Sequence, residues 1–224
     1  MRSFLDLLTE DEVGEVLDLG PERPFPKRAT LVRQGDPTQH VVLLSSGWAK
    51  VSAESSRGDE LLLAIRGETD IIGELSAIDD LPRSATVTAL VPVRARVIKA
   101  ARFTGYLRGH PNVMFAMLRH VAARLRESDA ERLRYVSTSS SARTVGLLLD
   151  LADRHGTPTG NGILVDLPLT QQEMAKAAAT SREMVARTLR ILRDRGLVRT
   201  SRQRIVLVEI DVLRSMVDSV SDDA

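Results

Sequence analysis

No cysteine occurs anywhere in the chain, and that absence excludes disulfides, thiolate nucleophiles, iron–sulfur clusters and thiolate zinc sites together. No apolar run approaches the roughly 18 residues of a membrane span, although 43% of the residues are hydrophobic, as in a soluble globular protein. The stretch MRSFLDLLTEDEV is amphipathic and carries acids. It has neither the apolar centre nor the small-residue cleavage site of a signal peptide, so a cytoplasmic protein with no membrane partner is expected. Histidines are few and scattered: His110 and His120 are off ligand spacing, and His40 and His155 are isolated, which gives no metal site. A nucleophile with its base is missing too, and the adjacent carboxylates of Asp79 and Asp80 point apart. An enzyme is not expected.

What the chain does contain is length enough for two small domains, at 224 residues, and an uneven charge. The formal net charge is only +1, yet from Ser181 to Arg204 eight arginines face two acids, Glu183 and Asp194. A basic stripe of that density points to nucleic acid.

The longest element expected is a helix from His110 to Tyr135, with Pro111 at its start, where a missing N–H costs nothing. Met114, Leu118, Val121 and Leu125 recur at alternating steps of four and three, the seam of two helices packed side by side, and this suggests a homodimer. Carried forward, the seam turns polar at Ser128, Arg132 and Tyr135. Ahead of it, Phe4 to Leu19 reads as a short helix, closed by Gly20 and PERPFP, whose prolines exclude both helix and central strand. Between Arg28 and Ile98, short β-rich runs alternate with turn signals, as in a sandwich or barrel.

One interval breaks that pattern: IIGELSAIDDLPRSATV, residues 71–87. Gly73 allows close backbone approach, and the N–H groups of the turn beginning at Glu74 and Leu75 are free to cradle an anion. Arg83 can add a bidentate charge and Ser84 a hydroxyl donor, while Glu74 suits a ribose hydroxyl. Taken singly, Arg83 reads equally as a surface partner of Asp79 or Asp80.

After Tyr135, five hydroxyl residues, Ser137 to Ser141, weaken the helix and read as a hinge or a capped linker. A packed helix over 142–154 follows, then an exposed loop, HGTPTGNG. In LTQQEMAKAAATSREMVARTLRILRDRGLV, Thr170 with Glu173 forms a capping box, and Ser181 caps a second helix after the turn Ala179-Thr180. Val185, Leu189 and Leu192 make its buried face, which leaves Arg182, Glu183, Arg187 and Arg190 outward. Arginine can bond guanine bidentately and glutamate can accept from cytosine, although Glu183 and Arg187 also stand at the spacing of a surface pair. Beyond Gly196, LVRT and RIVLVEI read as a two-stranded wing whose Arg199, Arg202 and Arg204 suit phosphates.

GELSAIDDLPRSATV resembles the phosphate-binding cassette of cyclic-nucleotide-binding domains, and SRExxxR resembles the recognition helix of the catabolite activator/fumarate-nitrate regulator family. Across almost the whole chain, the resemblance implies an α+β protein: a cyclic-nucleotide-binding β-roll (1–109), a dimerisation helix and hinge (110–138), and a winged helix-turn-helix (139–224). It implies that Gly73, Glu74 and Leu75 hold ribose and phosphate, that Arg83 and Ser84 hold the cyclic phosphate, and that Arg124 lies near the same pocket. Ser128 would meet the purine, and Asp129 stands where the partner subunit offers another polar group, unless it pairs instead with Arg126 or Arg132. The implied effector is cyclic AMP, with cyclic GMP the alternative. The implied partners are a second copy, inverted-repeat DNA and RNA polymerase. An empty or adapted pocket on the same scaffold is the rival. Thr69 and Ala179 stand where many relatives have glycine, and alanine fits the second place only if φ stays negative.

Overall fold

The computed structural model describes residues 3–37, 39–54, 58, 60–166, 169–201 and 204–218, with backbone alone for 131–137 and 218. It forms two compact units, Met1–Leu125 and Arg126–Ala224. The first begins with a 3-10 turn, Leu5–Leu7, and helix α1, Glu10–Leu17. The single helix expected from Phe4 to Leu19 is therefore broken. Thr9 is extended there (ψ 163°) and caps α1 in a reciprocal capping box with Glu12.

Eight strands and one helix follow: β1 Glu22–Phe25, β2 Thr30–Val32, β3 His40–Ser46, β4 Ala49–Glu54, β5 Glu60–Arg66, β6 Ile71–Ile72, α2 Glu74–Asp79, β7 Thr86–Ala89 and β8 Val93–Lys99. They make two four-stranded antiparallel sheets, ordered β1-β8-β3-β6 and β2-β7-β4-β5. Proline-bearing β1 lies at an edge, where a residue without an N–H is tolerated. Strand β3 shows how the cores form. Successive side chains point to opposite faces, so Val41 and Leu43 join Phe4, Ile98 and Phe103, while Val42 and Leu44 join Ile72, Val87 and Ala95. Both faces are buried, and the apolar run is continuous for that reason.

Helices α3, Ala100–Gly109, and α4, Pro111–Ser137, come next. One face of the start of α4 buries Val113, Ala116 and Met117 against the first core, while Met114, Phe115, Leu118 and Leu125 remain exposed. Val121, expected on the outward seam, is turned partly onto that core. The side chains of Arg132 and Tyr135, expected to continue the seam, lie outside the described residues.

The second unit carries α5 Ser140–His155, β9 Thr157–Thr159, β10 Gly162–Asp166, α6 Gln171–Ala177, α7 Arg182–Asp194, β11 Val198–Ser201, β12 Arg204–Leu207 and α8 Ile210–Asp218. Its sheet runs β11-β12-β10-β9. Two expectations are corrected here. HGTPTGNG is not only a loop, because Thr157–Thr159 pairs with β10. The two-stranded wing is the outer half of a four-stranded sheet, because β10 gives β12 a second neighbour. With Val165 alone fully buried in GILVD, the sequence offers no alternation to reveal that strand.

Candidate anion pocket and nucleic-acid interface

Gly73 caps α2 from the left-handed region, at φ 80° and ψ 13°, with no side-chain cap on the helix. A Cβ there would sit 2.1 Å from Nη1 of Arg83, so only glycine lets the guanidinium lie under the turn. Arg83 is 4% exposed. Its Nη1 donates to the Gly73 carbonyl at 2.9 Å, and Nη2 donates to the carbonyl of His40. Its backbone is bound as well, the N–H to Asp36 O at 2.9 Å and the carbonyl from Gly35 N at 2.8 Å. The alternative pairing with Asp79 or Asp80 does not occur among the described residues; Asp79 instead accepts from the Leu81 N–H at 3.1 Å. Burial lowers the Arg83 pKa, and the carboxylates of Glu74 and Asp36 oppose that shift.

Glu74 is more deeply buried than a lone carboxylate tolerates, and Nη1 of Arg124, from α4, donates to its Oε1. That leaves Oε2 to accept a hydroxyl, and the remaining guanidinium N–H groups of Arg83 to meet an anion. The residues present thus fit a ribose and a cyclic phosphate by chemistry. Leu75 and Ser84 are exposed on the same segment. Ser128 is half-buried and Asp129 exposed, both in the second unit. On the β2–β3 side of Arg83 lies a cleft of about 280 Å3, lined also by Arg33, Asp36 and His40. None of Gly73, Glu74, Leu75 and Ser84 lines it.

In the second unit, Thr170 and Glu173 make the expected capping box on α6: the Glu173 N–H reaches Thr170 Oγ1 at 3.2 Å, and the Thr170 N–H reaches the Glu173 carboxylate at 2.8 Å. Ser181 caps α7 by accepting from the Met184 N–H at 3.2 Å. Val185, Leu189 and Leu192 are buried with Thr188, and the outward face holds exposed Arg182, Glu183, Arg187 and Arg190. No ion pair joins Glu183 to Arg187 among the described residues. Its own backbone N–H, then the Ser181 hydroxyl, holds the Glu183 carboxyl below its ordinary value, which keeps it an ionised acceptor. Gly196, at φ 72°, ends α7, and the Leu197 N–H returns to Leu192 O at 2.9 Å. Arg193 ties α7 to β11 through Thr200 at 3.1 Å. Arg202 lies outside the described residues.

One residue that the sequence reading passed over is conspicuous in this unit. Arg143, near the start of α5, donates to the carbonyls of Ala178 and Ala179 in the turn between α6 and α7, at 3.1 and 3.0 Å. Ala179 sits at φ 41°, so the condition of negative φ is not met and the alanine is held in a left-handed conformation. An arginine on the polar side of an amphipathic helix carries no sequence signal of such a role.

The profile of the cyclic nucleotide-binding domain matches residues 22–110, and that of the Crp-like helix-turn-helix domain matches 142–216. The chain is 31% identical over 189 residues to the CRP-like cAMP-activated global transcriptional regulator of Mycobacterium tuberculosis, covering 84% of each. It is 30% identical over 192 residues to the cyclic AMP receptor protein of Thermus thermophilus, covering 86% of each. Among solved structures, FixK2 of Bradyrhizobium japonicum has the same fold, with a TM-score of 0.79 over 88% of this chain and 96% of that one at 18% identity.

Proposed function

The chain belongs to the catabolite activator/fumarate-nitrate regulator (CRP/FNR) family of transcription regulators, and from that premise we propose a homodimer whose affinity for DNA is raised by cyclic AMP. The observation that carries the effector reading is a buried carboxylate held by a partly exposed arginine, beside a buried arginine: Glu74 with Arg124, and Arg83 under Gly73. A buried guanidinium and a buried carboxylate around one glycine turn are costly groups to keep out of water. A cyclic phosphate and a ribose supply the partners that such groups favour. The relatives named as cAMP-activated support cyclic AMP as the effector.

Ser128 is assigned to the purine, and Asp129 to the position from which the second copy of the chain offers a further polar group to the base. The exposed apolar face of Met114, Phe115, Leu118 and Leu125 suits a second copy of the chain, since an apolar stripe on a helix is stable only when covered. In such a dimer the two α7 helices enter successive major grooves of an inverted repeat, roughly 34–36 Å apart. Arg182, Glu183 and Arg187 read base edges, Arg190 and Arg202 meet phosphates, and Thr170 and Ser181 present the first turns of α6 and α7 to the backbone. RNA polymerase is the further partner. Calorimetry with cyclic AMP and with cyclic GMP tests the effector: tighter binding of cyclic AMP supports this reading, and binding of neither returns the pocket to the adapted alternative.

A further inference from the structure

Resting on the effector reading, we propose that Arg143 and the Glu127–Arg154 pair are positioning residues. They join residues 126–137, α5 and the turn between α6 and α7 into one body, so that Ser128 and Asp129 travel with the recognition helix.

Arg143 reaches in two directions. Towards α4 it donates to Thr138 O at 2.8 Å and to Ser140 Oγ at 3.0 Å, and towards the DNA-reading turn it donates to Ala178 O and Ala179 O. A planar guanidinium fixes the angle between what it bonds on either side, which a flexible ammonium cannot do. A second link runs in parallel, because Ser141 Oγ lies 3.2 Å from Oγ1 of Thr188, on the buried face of α7. The far end of α5 is held too. Arg154 pairs with Glu127 across 27 residues of sequence, and both side chains are largely covered, at 20% and 29% exposed. Glu127 immediately precedes Ser128.

The hydroxyl-rich segment itself is engaged. Ser139 caps α5 by accepting from the Ala142 N–H at 3.2 Å, and Thr138, Ser140 and Ser141 make the bonds already described. A segment whose carbonyls and hydroxyls are bonded on both sides cannot absorb large φ/ψ changes without breaking them. The compact second unit begins at Arg126 and includes the end of α4, which agrees with a single body.

Hydrogen exchange on the full chain, with Glu127→Arg, Arg154→Glu and the double reversal, tests this. Each single reversal should speed exchange over 126–137 by about threefold, the change expected from losing a partly covered ion pair, and the double reversal should restore the parental rate. Arg143→Lys should speed exchange over 126–137 and over the Ala178-Ala179 turn together. In DNA titrations, the ratio of affinities with and without cyclic AMP should fall in the single reversals and return in the double. Unchanged exchange in the single reversals, failure of the double to restore it, or altered exchange with an unaltered ratio would each overturn the proposal. If the parent itself shows no ratio, the effector reading fails, and exchange alone decides whether the body is joined.

Discussion

Arg124 of α4 donates through Nη1 to Oε1 of Glu74, a carboxylate only 2% exposed at the start of α2. Removing the cation leaves a charge buried without a partner. Arg124→Leu should therefore destabilise the first unit by about 3 kcal/mol, and adding Glu74→Gln should recover most of that. Trp48, the only tryptophan and a residue of the first unit, reports that unit's urea transition by its fluorescence.

Gly73 and Arg83 should fail together. An alanine at φ 80° is strained, and its Cβ would displace the guanidinium 2.1 Å away. Gly73→Ala and Arg83→Ala should each weaken cyclic nucleotide binding by about 10- to 100-fold, the loss of a charged hydrogen bond, as read by calorimetry.

Among the described residues four that are not glycine hold positive φ, Arg28, Thr69, Asp80 and Ala179, and at Thr69 and Ala179 glycine would cost less. Thr69, at φ 68°, is β-branched, and Ala179 is at φ 41°. Thr69→Gly should stabilise the first unit and Ala179→Gly the second by about 1 kcal/mol each. Thermal unfolding that shifts downward in either variant would contradict the strain.

Burial lowers the His40 pKa below 6.5, with the Leu31 carbonyl opposing and the charges of Arg83 and Arg23 reinforcing the shift. The unfolded chain takes up this proton at the ordinary value and the folded chain resists it. The His40 contribution to stability is thus fully present above about pH 6.5 and is lost as pH falls below it. In denaturation curves at successive pH values, His40→Gln should show a shallower loss below that point.

Much of this was legible because backbone chemistry is local. The capping box at Thr170, the cap at Ser181 and the proline that starts α4 are each read within four residues, and so are the sorted faces of α7; the box at Thr9 is just as local but was passed over within the helix expected from Phe4 to Leu19. The residues 71–87 placed Gly73, Glu74 and Arg83 in one interval, but their geometry was not legible: that Arg83 turns to the carbonyls of Gly73 and His40 depends on a strand more than forty residues away. Arg143 and the Glu127–Arg154 pair were invisible for the same reason. A polar residue on a helix says nothing about which distant carbonyl or charge it will meet. Strand β10 was missed because a short run with one buried position has no period, and the φ of Ala179 because alanine does not advertise a left-handed turn.

The central claim is that a nucleotide held in the first unit controls how the second meets DNA. Its most direct test is an anisotropy titration of the unmodified chain against an inverted-repeat duplex, built on the TGTGA-like half-sites that the resemblance of SRExxxR to the family's recognition helix implies, at fixed salt, with and without saturating cyclic AMP. Affinity should rise by about 5- to 150-fold with the nucleotide, the usual range of coupling between sites. Equal affinity under both conditions would contradict the account.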